Sequence, residues 1–260
     1  MNGNFHTYFR QTTLSLFNSW METAQVGSVS NLHDLRVQMK RMKAIFAFLQ
    51  SVYGKGSLGK LPQITRELFQ QAGEWREMQL INQWLQKINV QLDATIGCTE
   101  ADILQQANQT QAYLQKHFNA YTKQMKKAEG LADKTHSILA EQYFMQLSAS
   151  LKKGIKKAKQ KDWHEVRKLC KKWIYASNWL EKDRLPNQKK IHAITKLEKY
   201  IGDWHECSTI IMRLEEAEHM DKAPLATRQG LAIALASIQK KEKVAVKKTQ
   251  QQFVTVAEQF

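Results

Sequence analysis

Apolar residues recur along this chain at spacings of three and four over long stretches, with polar positions between them and little of the strict alternation that marks a strand. On a helical wheel through residues 33–49, Leu35, Met39, Met42, Phe46 and Leu49 gather about 200° from His33, whereas Arg36, Lys40 and Lys43 fall at about 280–340°, next to it. The first set predicts a face that packs inward, and the second a cationic stripe along its edge. Short runs of Gly, Pro and Ser interrupt the pattern near 24–31, 54–62, 72–74, 95–99, 129–133, 159–162, 183–187, 202–203 and 221–224. The stretches between them predict roughly ten helices and no strand, hence an all-α protein. Pro62 and Pro224 stand where first-turn prolines are tolerated, and Thr99 followed by Asp102 reads as a helix start.

Composition supports this picture. With 11 Gly and 3 Pro in 260 residues, the chain has too few turn formers for a β-sandwich or barrel, and 43% hydrophobic residues suffice for a full core. Cys98, Cys170 and Cys207 are odd in number and widely spaced, so neither a disulfide framework nor a zinc site is expected. No secretory leader and no long apolar span are seen, so the expectation is a reduced, cytoplasmic protein away from the membrane. Charge changes the picture more: 39 Lys and Arg against 24 Asp and Glu give a formal +15 and a pI near 9.7, which calls for a polyanionic partner.

The cationic stripe is duplicated. Residues 31–41 read NLHDLRVQMKR and residues 162–172 read DWHEVRKLCKK, an offset of 131 that aligns His33 with His164, Arg36 with Arg167 and Lys40 with Lys171. Residues 72–77, AGEWRE, and 201–206, IGDWHE, repeat at an offset of 129, aligning Gly73 with Gly202 and Trp75 with Trp204. Two ordered matches at nearly one offset imply two related halves, 1–130 and 131–260, each a helical bundle. Val166, Cys170, Trp173 and Leu180 supply the core face of the second copy. Arg41 and Lys172 fall off the stripe. Asn31 and Asp162 read as N-caps, with Asp34 and Glu165 completing capping boxes. Each histidine then sits in a first turn, where free N–H groups and the helix dipole favour an anion and a bound phosphate would favour the imidazolium. Trp75 and Trp204 read as core, and Gly73 and Gly202 as either a break or a close helix contact.

The arrangement His-x-x-Arg-x-x-x-Lys-Arg-x-Lys, repeated half a chain later as His-x-x-Arg-x-x-x-Lys-Lys and each time followed by the glycine segment, resembles the CHAD family, the α-helical domain named for its histidine. The resemblance covers essentially the whole chain. It implies two pseudo-symmetric helical bundles forming one unit, with a basic central channel that binds inorganic polyphosphate without catalysis, and with phosphate or sulfate ions as mimics. His33, Arg36, Lys40, Lys43, His164, Arg167 and Lys171 would line it. Arg41 and Lys172 complete the two motifs. The resemblance adds Arg76, Lys196 and the aromatic Tyr175, and places His205 where Arg or Asn is commoner. Ile174 departs from the pattern at the position equivalent to Lys43, and Lys168 is the side chain placed to compensate. Glu77 and Glu206 stand where the family usually has aspartate. No Glu-x-Glu-x-Lys pentad occurs, so a stand-alone binder is expected, in the cytoplasm and among polyphosphate granules, with no cofactor and no metal.

Three weaker readings compete. A basic pI also fits a nucleic-acid binder, although no helix-turn-helix, zinc-finger or RNA-platform signature appears. His6, the His33-Asp34 dipeptide and a later Asp93 or Asp102 could suggest an HD-type metal phosphohydrolase, but Arg36 and Lys40 would repel the metal. Glu216-x-x-His219 and Asp133-x-x-His136 have metal-like spacing without the second Glu-x-x-His pair that a di-iron bundle needs. The lysine runs at 152–161 and 240–248 read as solvated patches that steer an anion.

Overall fold

A computed structural model describes residues 4–26, 29–89, 100–218 and 225–260. Among the described residues there are eight α-helices, two short 3₁₀ turns at 160–162 and 182–184, and no strand. The helices are α1 (Asn4–Val26), α2 (Val29–Tyr53), α3 (Leu61–Lys87), α4 (Glu100–Asp133), α5 (Ser137–Lys157), α6 (Trp163–Ser177), α7 (Gln188–Glu218) and α8 (Leu225–Ala257). None of them is long and apolar enough to cross a membrane. Pro62 lies in the first turn of α3, where its missing N–H costs nothing. Pro224, Thr99, Cys98 and His219 lie outside the described residues.

Two of the expected breaks do not exist. Residues 72–74 lie inside α3 and 202–203 inside α7, because a lone glycine costs a helix only about 1 kcal/mol and the packing of a long helix outweighs that. The break expected at 129–133 falls at 134–136, after α4 ends at Asp133. The turn after α2 is real. Gly54 takes φ 90°, a left-handed value that favours glycine, and its N–H closes the helix on Gln50 O at 3.0 Å.

The capping boxes are also corrected. α2 begins at Val29, so Asn31 is already helical and His33 falls past the first turn. At the second copy the Asp162 carboxylate turns back and accepts the Lys159 N–H at 3.0 Å, closing the 3₁₀ turn that precedes α6. His164 is second in α6 and keeps its first-turn position.

The residues pack as two compact units, each drawing on both halves of the sequence. The first comprises 1–76, 105–150 and 172–186; the second comprises 77–104, 151–171 and 187–260. In the first unit α1 packs on α2. The predicted face of α2 is fully buried: Leu35, Met39, Met42, Phe46 and Leu49 are at most 1% exposed. Phe5, Phe48 and Trp179 form an aromatic cluster, with Phe5 edge-on to Phe48 at 4.8 Å and to Trp179 at 5.3 Å. Trp173 is buried and donates from Nε1 to Ser148 Oγ at 2.8 Å. In the second unit α7 packs on α8. Ile81 and Leu85 from the end of α3 join Cys207, Ile210 and Leu214 of α7 and Leu231, Leu235 and Ile238 of α8 in one core. Cys170 and Cys207 are buried free thiols, and burial pushes Cys207 up to about 11.

Candidate anion site

Each unit carries one copy of the cationic motif. In the first, α2 presents His33 and Lys43 exposed, with Arg36 and Lys40 half-buried on the same stripe. The Arg36 guanidinium lies across α3. Nη1 donates to Phe69 O at 2.9 Å, and Cζ stands 4.3 Å from the centre of the Phe69 ring. Lys40 Nζ and Lys43 Nζ reach the same ring at 5.7 and 4.5 Å, so three cations of the stripe converge on one aromatic face. Arg76, two turns further along α3 than Phe69, joins them. It is the leading charge that lowers the His33 pKa after burial, followed by Lys40. Arg41 points elsewhere, donating to Gln38 Oε1 at 3.4 Å and lying near Tyr8 of α1.

In the second unit, Arg167 Nε and Lys171 Nζ meet at a single carboxylate oxygen, Glu198 Oε1 on α7, at 3.0 and 3.1 Å. His164 of α6 packs edge-on to His205 of α7, their ring centres 4.7 Å apart. Burial, then the charges of His164 and Arg167, push the His205 imidazole down to about 4. His164 is lowered as well, by burial and Lys168. These histidines are therefore driven towards the neutral form, and an anion beside them would favour the imidazolium. Lys168 is exposed and donates to Glu165 at 2.7 Å. Lys196 is exposed over the ring of Tyr200, and Lys172 is exposed near the end of α6, while Tyr175 is half-buried there.

The glycines explain how the two arginines can lie so close to the neighbouring helices. A Cβ on Gly73 would stand 3.0 Å from Arg36 Nη1, and one on Gly202 would stand 2.9 Å from Arg167 Nη2. Of the two roles expected for these glycines, a helix break and a close contact, the structure assigns the contact, with a guanidinium as the group that approaches. Trp75 is 2% exposed, as a core residue should be. Trp204 is only half-buried, edge-on to Trp163 at 5.2 Å.

Two residues of these clusters, Phe69 and Glu198, do not stand out in the sequence. Each lies four residues before its glycine, one helical turn away on the same face, and that shared place is the signal that marks them. The competing chemistries fare differently. Among the described residues no group of three or more His, Cys, Asp and Glu is close enough to hold a metal. His6 pairs with Asp133, and Glu216 pairs with Arg213 at 3.1 Å. Asp93 lies outside the described residues. The lysine patches are solvated: Lys153, Lys156, Lys157, Lys240, Lys243, Lys247 and Lys248 are all exposed. Lys152 instead donates to Phe260 O at 2.7 Å, and Lys241 lies 5.0 Å from the centre of the Trp84 ring.

A family model described as the CHAD domain matches residues 13–215 of the chain. The fold is similar to the crystal structure of the CHAD domain from the plant Ricinus communis, with a TM-score of 0.70 and 14% identity over 96% of this chain and 90% of that one. It is also similar to PptA from Streptomyces chartreusis, with a TM-score of 0.60 and 13% identity over 96% of this chain and 98% of that one. No protein of curated function matches the chain.

Proposed function

The chain belongs to the CHAD domain family, and on that premise we propose that it binds inorganic polyphosphate, without chemically altering it, in a basic channel lined by these side chains. One observation carries the reading: the duplicated arginine seated over a helix glycine, Arg36 over Gly73 and Arg167 over Gly202, each with a lysine one turn further on. A solvated basic face needs no such seat. A site that must present a guanidinium in a fixed direction does, because forked N–H donors match phosphate oxygens only when they are held in place.

Successive cations at i and i+4 lie about 6 Å apart along a helix. A ladder of this kind suits a ligand with many regularly spaced charges better than a single ion. Each phosphate of the polymer carries about one negative charge, so binding gains from direct contacts and from release of condensed counterions, by analogy with nucleic acids. The halves 1–130 and 131–260 are read as copies of one bundle, each bringing one cluster to the polymer. Lys168, Lys172, Lys196 and Arg41 lie outside the close contacts and would act mainly through the field they create.

The test is a calorimetric titration with long-chain polyphosphate at ~0.15 M salt, comparing the wild-type chain with Arg36→Ala/Arg167→Ala. The wild type should bind and the double variant should lose at least tenfold in affinity, about 1.4 kcal/mol. Equal affinity would reduce the stripes to solvated faces. Displacement of the polymer by duplex DNA at equal phosphate concentration would transfer the assignment to nucleic acid.

A further inference from the structure

We infer that the groove between α2 and α3, where the first cationic stripe ends, is a site for a small phosphate monoester with a flat apolar body, anchored by Arg66. It stands whether or not the chain binds polyphosphate. The groove lies within the first unit. Lys43, Phe46, Ala47 and Gln50 on one face of α2 meet Pro62, Gln63 and Arg66 from the first two turns of α3 around a cavity of about 320 Å³. Past Lys43, α2 carries no further charge as far as Tyr53, so its face turns from cationic to apolar, and the new cation, Arg66, comes from α3.

The volume is that of a small-molecule site and exceeds what a lone phosphate group needs. Phe46 is 1% exposed and Ala47 and Pro62 are half-buried, so the floor of the groove is apolar. Inorganic phosphate would leave that floor unused, and an uncharged ring would leave Arg66 unused. A ring bearing a phosphate uses both. The walls are set before a ligand arrives. Gln50 Nε2 donates to Lys55 O at 2.7 Å, across the turn at Gly54, and Gln63 Nε2 donates to Glu67 Oε1 at 2.9 Å. Glu67 is the acid next to Arg66 in sequence, and its other oxygen accepts from Tyr113 OH of α4 at 2.6 Å. That carboxylate is thus committed to two neutral donors, and the exposed guanidinium of Arg66 can offer its forked N–H groups to two phosphate oxygens. Lys43, on the α2 side, adds a second positive charge, which favours a doubly charged monoester over a carboxylate.

The experiment follows the amide NMR signals of the full chain at ~0.15 M salt while phenyl phosphate or inorganic phosphate is added to wild type, Arg66→Gln and Ala47→Trp. Phenyl phosphate should bind the wild type at least about tenfold more tightly than inorganic phosphate, because only the ester uses the floor, and its shifts should centre on Ala47, Gln50 and Gln63. Arg66→Gln should weaken phenyl phosphate about fivefold or more. Ala47→Trp, whose ring fills the groove, should abolish the advantage of the ester. Arg66 is exposed, so its variant keeps the fold and decides alone where the tryptophan variant does not fold. Equal affinity of the wild type for the two probes overturns the inference. So does phenyl phosphate binding that Arg66→Gln leaves unchanged, or an advantage of the ester that survives in folded Ala47→Trp.

Discussion

Gly202 on α7 and Arg167 on α6 are in direct contact, closer than any side chain at position 202 would allow: a Cβ there would stand 2.9 Å from Nη2, 3.2 Å from Nε and 3.3 Å from Cζ. Gly73 stands in the same relation to Arg36. Both glycines are interior to long helices, where Gly is about 0.5–1 kcal/mol worse than Ala. The atoms in the way are the ends of flexible side chains, so alanine would displace the guanidinium and leave the backbone in place. We expect Gly73→Ala to retain stability or gain up to ~1 kcal/mol while losing roughly tenfold in polyphosphate affinity. Gly202→Ala should behave alike, because displacing either guanidinium breaks one contact, Arg36 with Phe69 O or Arg167 with Glu198. Thermal unfolding and calorimetry on the same samples check this. Reduced stability with unchanged binding would assign the glycines to helix packing alone.

The histidine pair gives a pH dependence of defined sign. His205 is lowered to about 4 by burial and then by His164 and Arg167, and His164 is lowered too. The unfolded chain, with histidine near ~6.5, therefore takes up protons before the folded one. The stability these residues contribute is complete above ~6.5 and is lost as pH falls towards 4. The Tm of the wild type should drop across that window, and the drop should be smaller in His205→Gln. Binding runs the other way. A phosphate beside the pair favours the imidazolium, so polyphosphate affinity should rise as pH falls from 7.5 to 6. Proton uptake on binding, measured by calorimetry in buffers of different ionisation enthalpy, reports this directly. Its absence would remove the histidines from the ligand.

The buried face of α2 was readable because Leu35, Met39, Met42, Phe46 and Leu49 follow one helical period, and period is a property of sequence alone. The cationic stripe was readable for a second reason, its repetition at His164, Arg167 and Lys171. Gly73 and Gly202 misled as breaks because local propensity says what glycine costs a helix but not what approaches it. The cap at Asn31 failed because α2 starts two residues earlier, at Val29, and the cap at Asp162 because a capping side chain looks the same in sequence whether it opens one helix or closes the turn before it. Phe69 and Glu198 stayed hidden because a repeat shows itself through identical residues, and at these positions the two copies differ in kind. Their equivalence appears only once the helices are known to run unbroken through the glycines.

Thr65 and Tyr121 offer a stability test within the first unit. Both are fully buried, and their hydroxyls are 3.0 Å apart. Thr65 Oγ1 donates to Leu61 O at 2.8 Å, which leaves Tyr121 as the donor between the two. Tyr121→Phe removes that donor while the Thr65 hydroxyl keeps its bond to Leu61, and should cost about 1 kcal/mol. Thr65→Val leaves the tyrosine hydroxyl buried without this acceptor and should cost more, about 1–3 kcal/mol. Urea unfolding of the two variants measures the difference. A larger cost for Tyr121→Phe would mean that the tyrosine hydroxyl contributes more than its bond to Thr65 accounts for.

Arg167 and Lys168 are neighbours in sequence, yet different consequences follow from their surroundings. Lys168 is 53% exposed, paired with Glu165 that is 71% exposed, so the pair is worth at most ~0.5 kcal/mol. Lys168→Ala should leave stability within that margin and lower polyphosphate affinity only about twofold, an effect that fades as salt is raised. Arg167 is 24% exposed against a Glu198 that is 19% exposed. Its removal deprives a largely buried carboxylate of one of its two cations, so Arg167→Ala should cost about 1–3 kcal/mol in stability. It should also reduce polyphosphate affinity by at least tenfold. Measuring both variants from 0.05 to about 0.5 M salt separates a contact from a field, because a lost field effect shrinks with screening while a lost forked contact persists. If the two variants lose affinity equally at high salt, Arg167 is no more a ligand contact than its exposed neighbour.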